Sequence, residues 1–346
     1  MKKTLIAIAA VAATSAFAQV QITGTFDPSY AMTKTTAGDN TAVSQSLIRN
    51  NSRGTTNFTF RINEDLGGGL KAIALAEFDF NAGVNTNQNV NVYAGFTGAA
   101  SAPQNNVMGS GGGEVFTGLS GSMGSIKLGT ANTPSLSTQA GRQPFGTKMG
   151  GGFGTTMGSS HVRESSSIVL ASNVYSGFSA VVGNSRGTNP DATTTLLGTA
   201  GSKNDVGLFY AAGPVRAGAS YFSGNGNGQQ TYFAQYDIGA ATIFAGMQNE
   251  KLAGLEQNSG YNIATKYALS GTTSVMANLG KLTDKTLTAG VLNGQNQKIS
   301  GLGLDYALSK MTTAYVRYEN RVNDNVVLAT KVKSQSTTAF GLMVNF

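Results

Sequence analysis

Three observations predict an all-β chain that crosses a membrane as an antiparallel β-barrel. The last strand alternates, with Phe340, Leu342, Val344 and Phe346 on one face. Charged residues make up 12% of the 346 residues, about half of the roughly 25% usual in soluble domains. No long apolar run follows residue 18, although membrane-spanning helices would require such runs. Strands with one face in lipid and the other in water give this averaged composition.

The first residues carry the pattern of a cleaved secretion signal. Lys2 and Lys3 precede a short apolar run at residues 5–13, and residues 16–18 (AFA) fit a small-x-small cleavage site. The run is shorter than the about 20 residues that a spanning helix needs. We therefore expect residues 1–18 to be removed and residues 19–346 to form a single transmembrane β-barrel domain.

The residue types required for most catalytic and metal sites are scarce. The chain has no cysteine and a single histidine, His161, so nucleophile activation by histidine and His/Cys metal sites have almost no residues to use. The formal charge of +7 comes from scattered lysines and arginines, whereas nucleic-acid binding favours one basic stripe. We therefore expect no enzyme activity, no cofactor and no nucleic-acid partner.

Short turns divide the chain into strands of the length that crosses a bilayer. Seven such turns are predicted, near residues 65–69, 121–125, 175–177, 213–214, 238–239, 270–271 and 309–310. Five of them follow a tyrosine: Tyr175, Tyr210, Tyr236, Tyr267 and Tyr306. A repeated tyrosine predicts an aromatic girdle at one membrane interface. Seven turns joined by longer outer loops imply sixteen strands, with the first two at about 20–33 and 54–64, although periodicity alone predicts only a barrel of many strands.

Motifs along the whole mature chain resemble those of the general diffusion porins of β-proteobacteria and neisseriae. They are residues 64–72 (EDLGGGLKA), 118–121 (GLSG) with Gly124, 128–129 (LG), 306–310 (YALSK) and the terminal Phe346. The resemblance implies a sixteen-stranded barrel in the Gram-negative outer membrane, through which small hydrophilic solutes and ions diffuse passively. It also implies that the third outer loop folds into the barrel and narrows the pore.

The resemblance further implies two protein partners. Family members form homotrimers, and the barrel-assembly machinery recognises the terminal phenylalanine, here Phe346. Ala72, Ala74 and Ala76 are small residues on the outward face of the third strand, and small side chains allow a neighbouring barrel to approach closely. We therefore expect these alanines at or beside the subunit interface.

Alternation along the strands predicts which charged residues face the lumen, because side chains point to opposite faces in turn. The outward apolar residues of the second and third strands leave Arg61, Glu77 and Asp79 inside. The same parity places Lys127 in the lumen. Most charges in a large barrel serve only to solvate its wall, so position in the pore matters more than charge itself.

The third outer loop, about residues 133–160, is expected to be positive. No carboxylate occurs between residues 114 and 164, whereas Lys127, Arg142, Lys148 and Arg163 lie in that stretch. Arg163 matches the arginine with which family members open the strand after this loop. We expect Arg142, Lys148 and Arg163 to form a positive wall facing the two carboxylates of the third strand, which predicts a modest preference for anions.

Two departures from the family pattern weaken that preference. Asn57 stands seven residues before the EDLGGG motif, where relatives commonly carry an arginine. Glu114 follows Gly113 at the start of the fourth strand, where anion-selective relatives carry basic residues.

Two other classes of protein fit part of the pattern. A surface adhesin or phage receptor would use its outer loops to bind a partner, but these loops lack the aromatic residues that anchor most interfaces. A soluble exported β-rich domain would not need outward tyrosines or an apolar terminal strand.

Overall fold

Antiparallel β-strands dominate the computed structural model, which describes residues 19–80, 113–152, 162–186, 202–224, 226–251, 257–283, 287–288, 291–292, 296–324 and 332–346. The strands are β1 (Gln19–Phe26), β2 (Pro28–Ala37), β3 (Ala42–Asn50), β4 (Asn57–Gly67), β5 (Leu70–Asp79), β6 (Val115–Gly121), β7 (Gly124–Thr130), β8 (Ser167–Ser172), β9 (Phe178–Ser185), β10 (Lys203–Ala212), β11 (Val215–Gly224), β12 (Asn227–Ile238), β13 (Ala241–Lys251), β14 (Gln257–Ala268), β15 (Thr273–Thr283), β16 (Leu287–Thr288), β17 (Val291–Leu292), β18 (Asn296–Ala307), β19 (Thr312–Asp324) and β20 (Val332–Asn345). One helix, α1 (Pro134–Gly141), follows β7. Among the described residues, no helix is both long and apolar enough to cross a membrane.

The strands form a closed barrel. Eighteen of them belong to one sheet, and β16 and β17 form a separate short hairpin. Two barrel strands are each interrupted once, the first at Asp27 between β1 and β2, and the second at residues 51–56 between β3 and β4. Counting each interrupted strand once gives sixteen barrel strands in the part of the chain that the structure describes, as predicted. The sheet closes where β20 pairs antiparallel with β1 and β2.

The first hairpin is longer than the alternation predicted. Residues 34–53 were expected in an outer loop, but β2 continues to Ala37 and β3 returns from Ala42. This extension is rich in Thr, Ser and Gln, and the Gln335 amide of the neighbouring β20 donates to the Thr35 hydroxyl at 3.1 Å. Both faces of such a strand end can contact water. The apolar alternation that marks a lipid-facing strand therefore disappears while the backbone pairing continues.

The two faces of the barrel differ in polarity. On β13, Ile243 and Met247 point outward and are exposed, whereas Phe244, Gln248 and Glu250 point inward and are buried. Tyrosines near the short turns, such as Tyr236 and Tyr267, lie on the outward face. The apolar outer surface and the polar interior place the candidate functional site inside the barrel.

Candidate functional site

The lumen is lined by polar side chains. Buried inward residues of β12 to β19 are largely amides and hydroxyls: Gln229, Thr231, Gln248, Asn262, Asn278 and Asn323. Part of the lumen is a cavity of about 450 Å³ whose lining includes Thr23, Thr59, Arg61, Glu77 and Glu114. A barrel of this size leaves an aqueous interior rather than a packed core, and this lining fits one.

Loop 3, the segment between β7 and β8, enters the lumen with helix α1. The Thr133 hydroxyl caps the helix by accepting from the Leu136 N–H at 3.1 Å, and Pro134 opens it, a position where its missing N–H costs nothing. The Asp205 carboxylate of β10 accepts the Ser135 N–H at 3.0 Å and its hydroxyl at 2.8 Å. A carboxylate at the positive end of a helix is favourable, so Asp205 fixes the start of loop 3 to the wall.

Inward-facing glycines of the wall make room for loop 3. A Cβ on Gly207 would lie 2.5 Å from Cβ of Pro134. A Cβ on Gly301 would collide with the backbone of Gly150. The wall glycines that loop 3 covers in this way are Gly207, Gly246, Gly301 and Gly303. Part of the high glycine content, 46 residues, therefore serves close approach of one backbone to another.

The far end of loop 3, at Met149 and Gly150, is anchored to β19, β20 and β2. The Gly150 N–H donates to Glu319 of β19 at 2.7 Å. Met149 packs in a small buried apolar cluster with Ala31 of β2 and Ala339 of β20. Residues 133–152 of loop 3 thus follow the inner wall from β10 round to β20 and β2, and contact it near both ends of this stretch.

Arg142 is buried between loop 3 and the wall. Only 2% of the residue is exposed, and its Nε donates to the Gln139 carbonyl oxygen at 3.2 Å. Its aliphatic part covers Gly246, and burial lowers the pKa of Arg142 to about 9. The structure therefore does not bring Arg142 together with Lys148 and Arg163 on one surface.

Lys148 and Arg163 lie beside the carboxylates of β5. The Arg163 guanidinium is 4.0 Å from Glu77 Oε2, and the Lys148 ammonium donates to the Thr55 hydroxyl at 2.6 Å. Burial lowers the pKa of Lys148, an effect that the nearby charge of Asp79 opposes. Each cation is thus a near neighbour of a carboxylate instead of facing it across open lumen.

Lys127 and Arg61 lie on the lumen wall. The Lys127 ammonium is 3.9 Å from Glu114 and 4.5 Å from the centre of the Phe116 ring. Arg61 is exposed and lines the same cavity as Glu77. Both side chains therefore lie on the inward face of the barrel wall.

Sequence reasoning missed an inward segment at residues 51–56. Its residues were expected at the end of an outer loop and the start of a strand, but Ser52 and Thr56 are fully buried inside the barrel. A signal was present. Residues 51–54 (NSRG) are of the turn-forming type, and they interrupt the pairing at a level where a spanning strand should be continuous.

The sequence comparison decides the family. A model of the Gram-negative porin family matches residues 4–326. The chain belongs to this family. It is a porin of the Gram-negative outer membrane that forms a diffusion channel, and the polar lumen is its conducting path. Comparison with curated protein sequences gives no significant match.

Solved structures share the fold of this porin over nearly its whole length. An anion-selective porin from Comamonas acidovorans superposes with a TM-score of 0.73 at 18% identity, covering 95% of this chain and 100% of that one. OmpF of Salmonella typhi, in complex with daunomycin, gives a TM-score of 0.66 at 14% identity, covering 94% and 97%. OmpT of Vibrio cholerae, an outer membrane protein, gives 0.65 at 14% identity, covering 95% and 98%.

Phe346 lies on the outer face of the porin, at the barrel closure. Its backbone exchanges two hydrogen bonds with Gly24, at 3.0 and 3.1 Å. Its ring covers the position where a side chain of Gly24 would lie and joins an aromatic cluster with Phe26, Phe58 and Phe80.

The three alanines of β5 occupy outward positions between larger neighbours. Ala74 pairs with Ile62 of β4 and Thr117 of β6, and Ala76 pairs with Phe60 and Val115. The outer surface of the barrel is therefore indented along these alanines. Residues 1–18, His161 and most outer-loop residues that a receptor function would use lie outside the described residues.

Proposed function

We propose that loop 3 narrows this porin to a channel for small hydrophilic solutes, with a modest preference for anions. The exposure of the charged side chains in the lumen carries the proposal. Arg163 is 22% exposed against 15% for Glu77, and Lys127 is 28% exposed against 13% for Glu114. Lys203 and Glu164 follow the same order, at 34% and 13%. A passing ion therefore meets the cation of each pair first.

The expected size of the preference follows from Coulomb's law. A unit charge about 8 Å from an ion, at an effective dielectric near 20, contributes roughly 2 kcal/mol before screening. The neighbouring carboxylate cancels much of this, because each ion pair is nearly neutral at a distance. Modest selectivity is the consequence. The structurally similar porin from Comamonas acidovorans is anion-selective, which agrees with the proposed sign.

The zero-current potential in a KCl gradient tests the proposal. Arg163→Glu places two carboxylates together and should shift permeation towards cations. Lys310→Glu makes the same change of charge in an exposed short turn, outside the lumen, and should leave the potential unchanged. A wild-type cation preference, or equal shifts in the two variants, would contradict the proposal.

We also propose that the porin is a homotrimer with β5 at or beside the subunit interface. The indentation of the outer surface along Ala72, Ala74 and Ala76 supports this interface, since small residues allow close contact between membrane-spanning elements within lipid. We further propose that the barrel-assembly machinery recognises Phe346, that residues 1–18 are removed, and that the porin catalyses no reaction. The family resemblance supports each of them.

A further inference from the structure

Residues 51–56, here called the inner segment, fold into the lumen between β3 and β4. Before Asp27, β1 pairs with β4, and after Asp27, β2 pairs with β3. The interruption at Asp27 and the inner segment therefore lie at the same level of the barrel. The inner segment contacts inward-facing groups of the wall, including a 2.7 Å hydrogen bond between the hydroxyls of Ser29 and Ser52. It therefore lies on the lumen side of the barrel.

Asp27 fixes the conformation of the inner segment. Its Oδ2 accepts the N–H groups of Arg53 and Gly54 at 2.7 and 2.8 Å, and its Oδ1 accepts the Tyr315 hydroxyl at 2.5 Å. Its own N–H donates to the Thr56 hydroxyl at 3.0 Å. Asp27 is fully buried, and hydrogen bonds to a buried carboxylate are strong. The inner segment is thus a fixed part of the wall.

Arg53 projects from the inner segment into a group with an excess of positive charge. Its Nη2 lies 3.2 Å from Asp305, while Arg317 lies 2.7 Å from the same carboxylate. Two guanidinium groups therefore share one carboxylate. Arg53 is 24% exposed whereas Asp305 is 12% exposed and Arg317 4%, so Arg53 is the member of the group that a solute can reach.

The inner segment also meets the far end of loop 3. The Thr55 hydroxyl accepts from the Lys148 ammonium, which places a second cation beside Arg53's segment. Loop 3 follows the wall from β10 to β20 and β2, and the inner segment continues the inward lining at β4. The cavity lined by Arg61 and Glu77 also includes Asn57, the residue that follows the inner segment.

We propose that the inner segment is a second pore-narrowing element and that Arg53 is a selectivity-determining residue for small anions. An anion that passes the junction with loop 3 interacts with Arg53, because Asp305 is shared with Arg317 and Asp27 is buried. The oxygens of Asp27 are bonded to the N–H groups of the segment and to the Tyr315 hydroxyl. The inference deepens the proposed function and rests on it in requiring an open channel with a charged constriction.

Charge removal at Arg53 gives the first test. Arg53→Ala should lower the chloride-to-potassium permeability ratio about threefold in about 0.1 M salt and raise single-channel conductance, and Arg53→Lys should restore the ratio. Arg216→Ala is the matched control, because Arg216 is an ion-paired lumen arginine near a short turn, 2.7 Å from Asp237. An equal or larger shift in Arg216→Ala, or no shift in Arg53→Ala, would overturn the proposal.

Labelling of a single cysteine gives a second test that keeps Arg53 intact. The chain has no cysteine, so Thr55→Cys can be modified selectively with methanethiosulfonates that carry a sulfonate or an ammonium group. Both labels should reduce conductance, and they should shift the permeability ratio in opposite directions. Ser309→Cys, in an exposed short turn, should respond to neither label.

The two proposals fail in distinguishable ways. A wild-type channel without anion preference would refute the proposed selectivity, yet a block by both labels at Thr55→Cys would still support the narrowing by the inner segment. Unaltered conductance after complete labelling at Thr55→Cys would refute the inner segment as part of the constriction, whatever the wild-type preference.

Discussion

At the scale of single residues, Gly24 and Phe346 show how a terminal side chain can have one role in assembly and another in packing. Phe346 is proposed as a signal for assembly, and the structure gives its ring a position over Gly24 within an aromatic cluster. Aromatic pairs of this kind stabilise by about 0.5–1.5 kcal/mol beyond their burial. Loss of Phe346 would therefore remove both the proposed signal and an aromatic contact, and the two effects need separate variants.

Gly24→Ala leaves the terminal sequence intact, while its Cβ would displace the Phe346 ring and press on the Asn57 carbonyl oxygen of β4. Overpacking of this kind costs about 1–3 kcal/mol, so the temperature at which the folded band converts to the unfolded one in detergent gels should fall. Gly271→Ala, where a Cβ would have no neighbour within 4 Å, should convert at the wild-type temperature. Deletion of Phe346 should in addition reduce the amount of porin in the outer membrane, and a normal yield after deletion would contradict its role as a signal.

Single residues also mark the limit of prediction from sequence. Parity placed Arg61, Glu77 and Lys127 in the lumen because strand geometry leaves only two faces. Arg142 and Lys148 lie in loop 3, where no such periodicity exists. Arg142 packs against Gly246 of the wall, whereas Lys148 donates to Thr55. Neither contact is visible in the local sequence, so equal roles were expected for two residues that the structure separates.

At the scale of elements, loop 3 depends on the wall glycines as much as on its own sequence. Its backbone at Gly150 lies against Gly301, and Asn278 donates to the Gly150 carbonyl at 3.2 Å. A side chain at position 301 leaves no room for this contact. The position of loop 3 is thus encoded in strands that are distant in sequence.

Gly301→Ala should release the far end of loop 3 while the barrel remains folded. The cost of overpacking, about 1–3 kcal/mol, is comparable with the few hydrogen bonds that hold this end. Single-channel conductance and its noise should therefore increase. Gly183→Ala changes another inward glycine whose Cβ would have ordinary contacts of 3.7 Å, and its conductance should match wild type. Identical traces for the two variants would show that Gly301 does not position the loop.

Elements were predictable where lipid imposes a pattern. The sixteen strands and their short turns follow from alternation and turn residues, both of which the bilayer requires. The first hairpin and the inner segment were not predicted, since residues 34–56 lie at a depth or on a face where polar side chains are tolerated. In the inner segment, hydrogen bonds to Asp27, not lipid, determine the structure.

At the scale of the whole molecule, the outer surface and the electrostatic field give predictions of assembly and selectivity. Cysteine cross-linking tests assembly without background, because the chain has no cysteine. Ala74→Cys on β5 should give cross-linked subunits with a short bifunctional reagent. Ala245→Cys lies on the outward face of β13, on the opposite side of the barrel from β5, and should give few cross-linked subunits. Cross-links at Ala245 alone would exclude β5 from the interface.

The anion preference should depend strongly on salt. The Debye length falls from about 10 Å at 0.1 M to about 3 Å at 1 M, which is shorter than the distance from most wall charges to a passing ion. The permeability ratio obtained from zero-current potentials should therefore approach that of free solution at the higher concentration. A ratio that stays constant over this range would indicate direct ion binding instead of a long-range field.

Closure of the barrel joins residues that are far apart in sequence, since the Thr25 hydroxyl bonds to Asn345 across 320 positions. A partly paired sheet has two open edges, each of which can pair with another chain. Closure is a unimolecular step, slowed by the entropy of ordering a long intervening chain, whereas aggregation is of higher order in concentration. The fraction of newly secreted chains that reaches the closed state should therefore decline as the rate of synthesis rises.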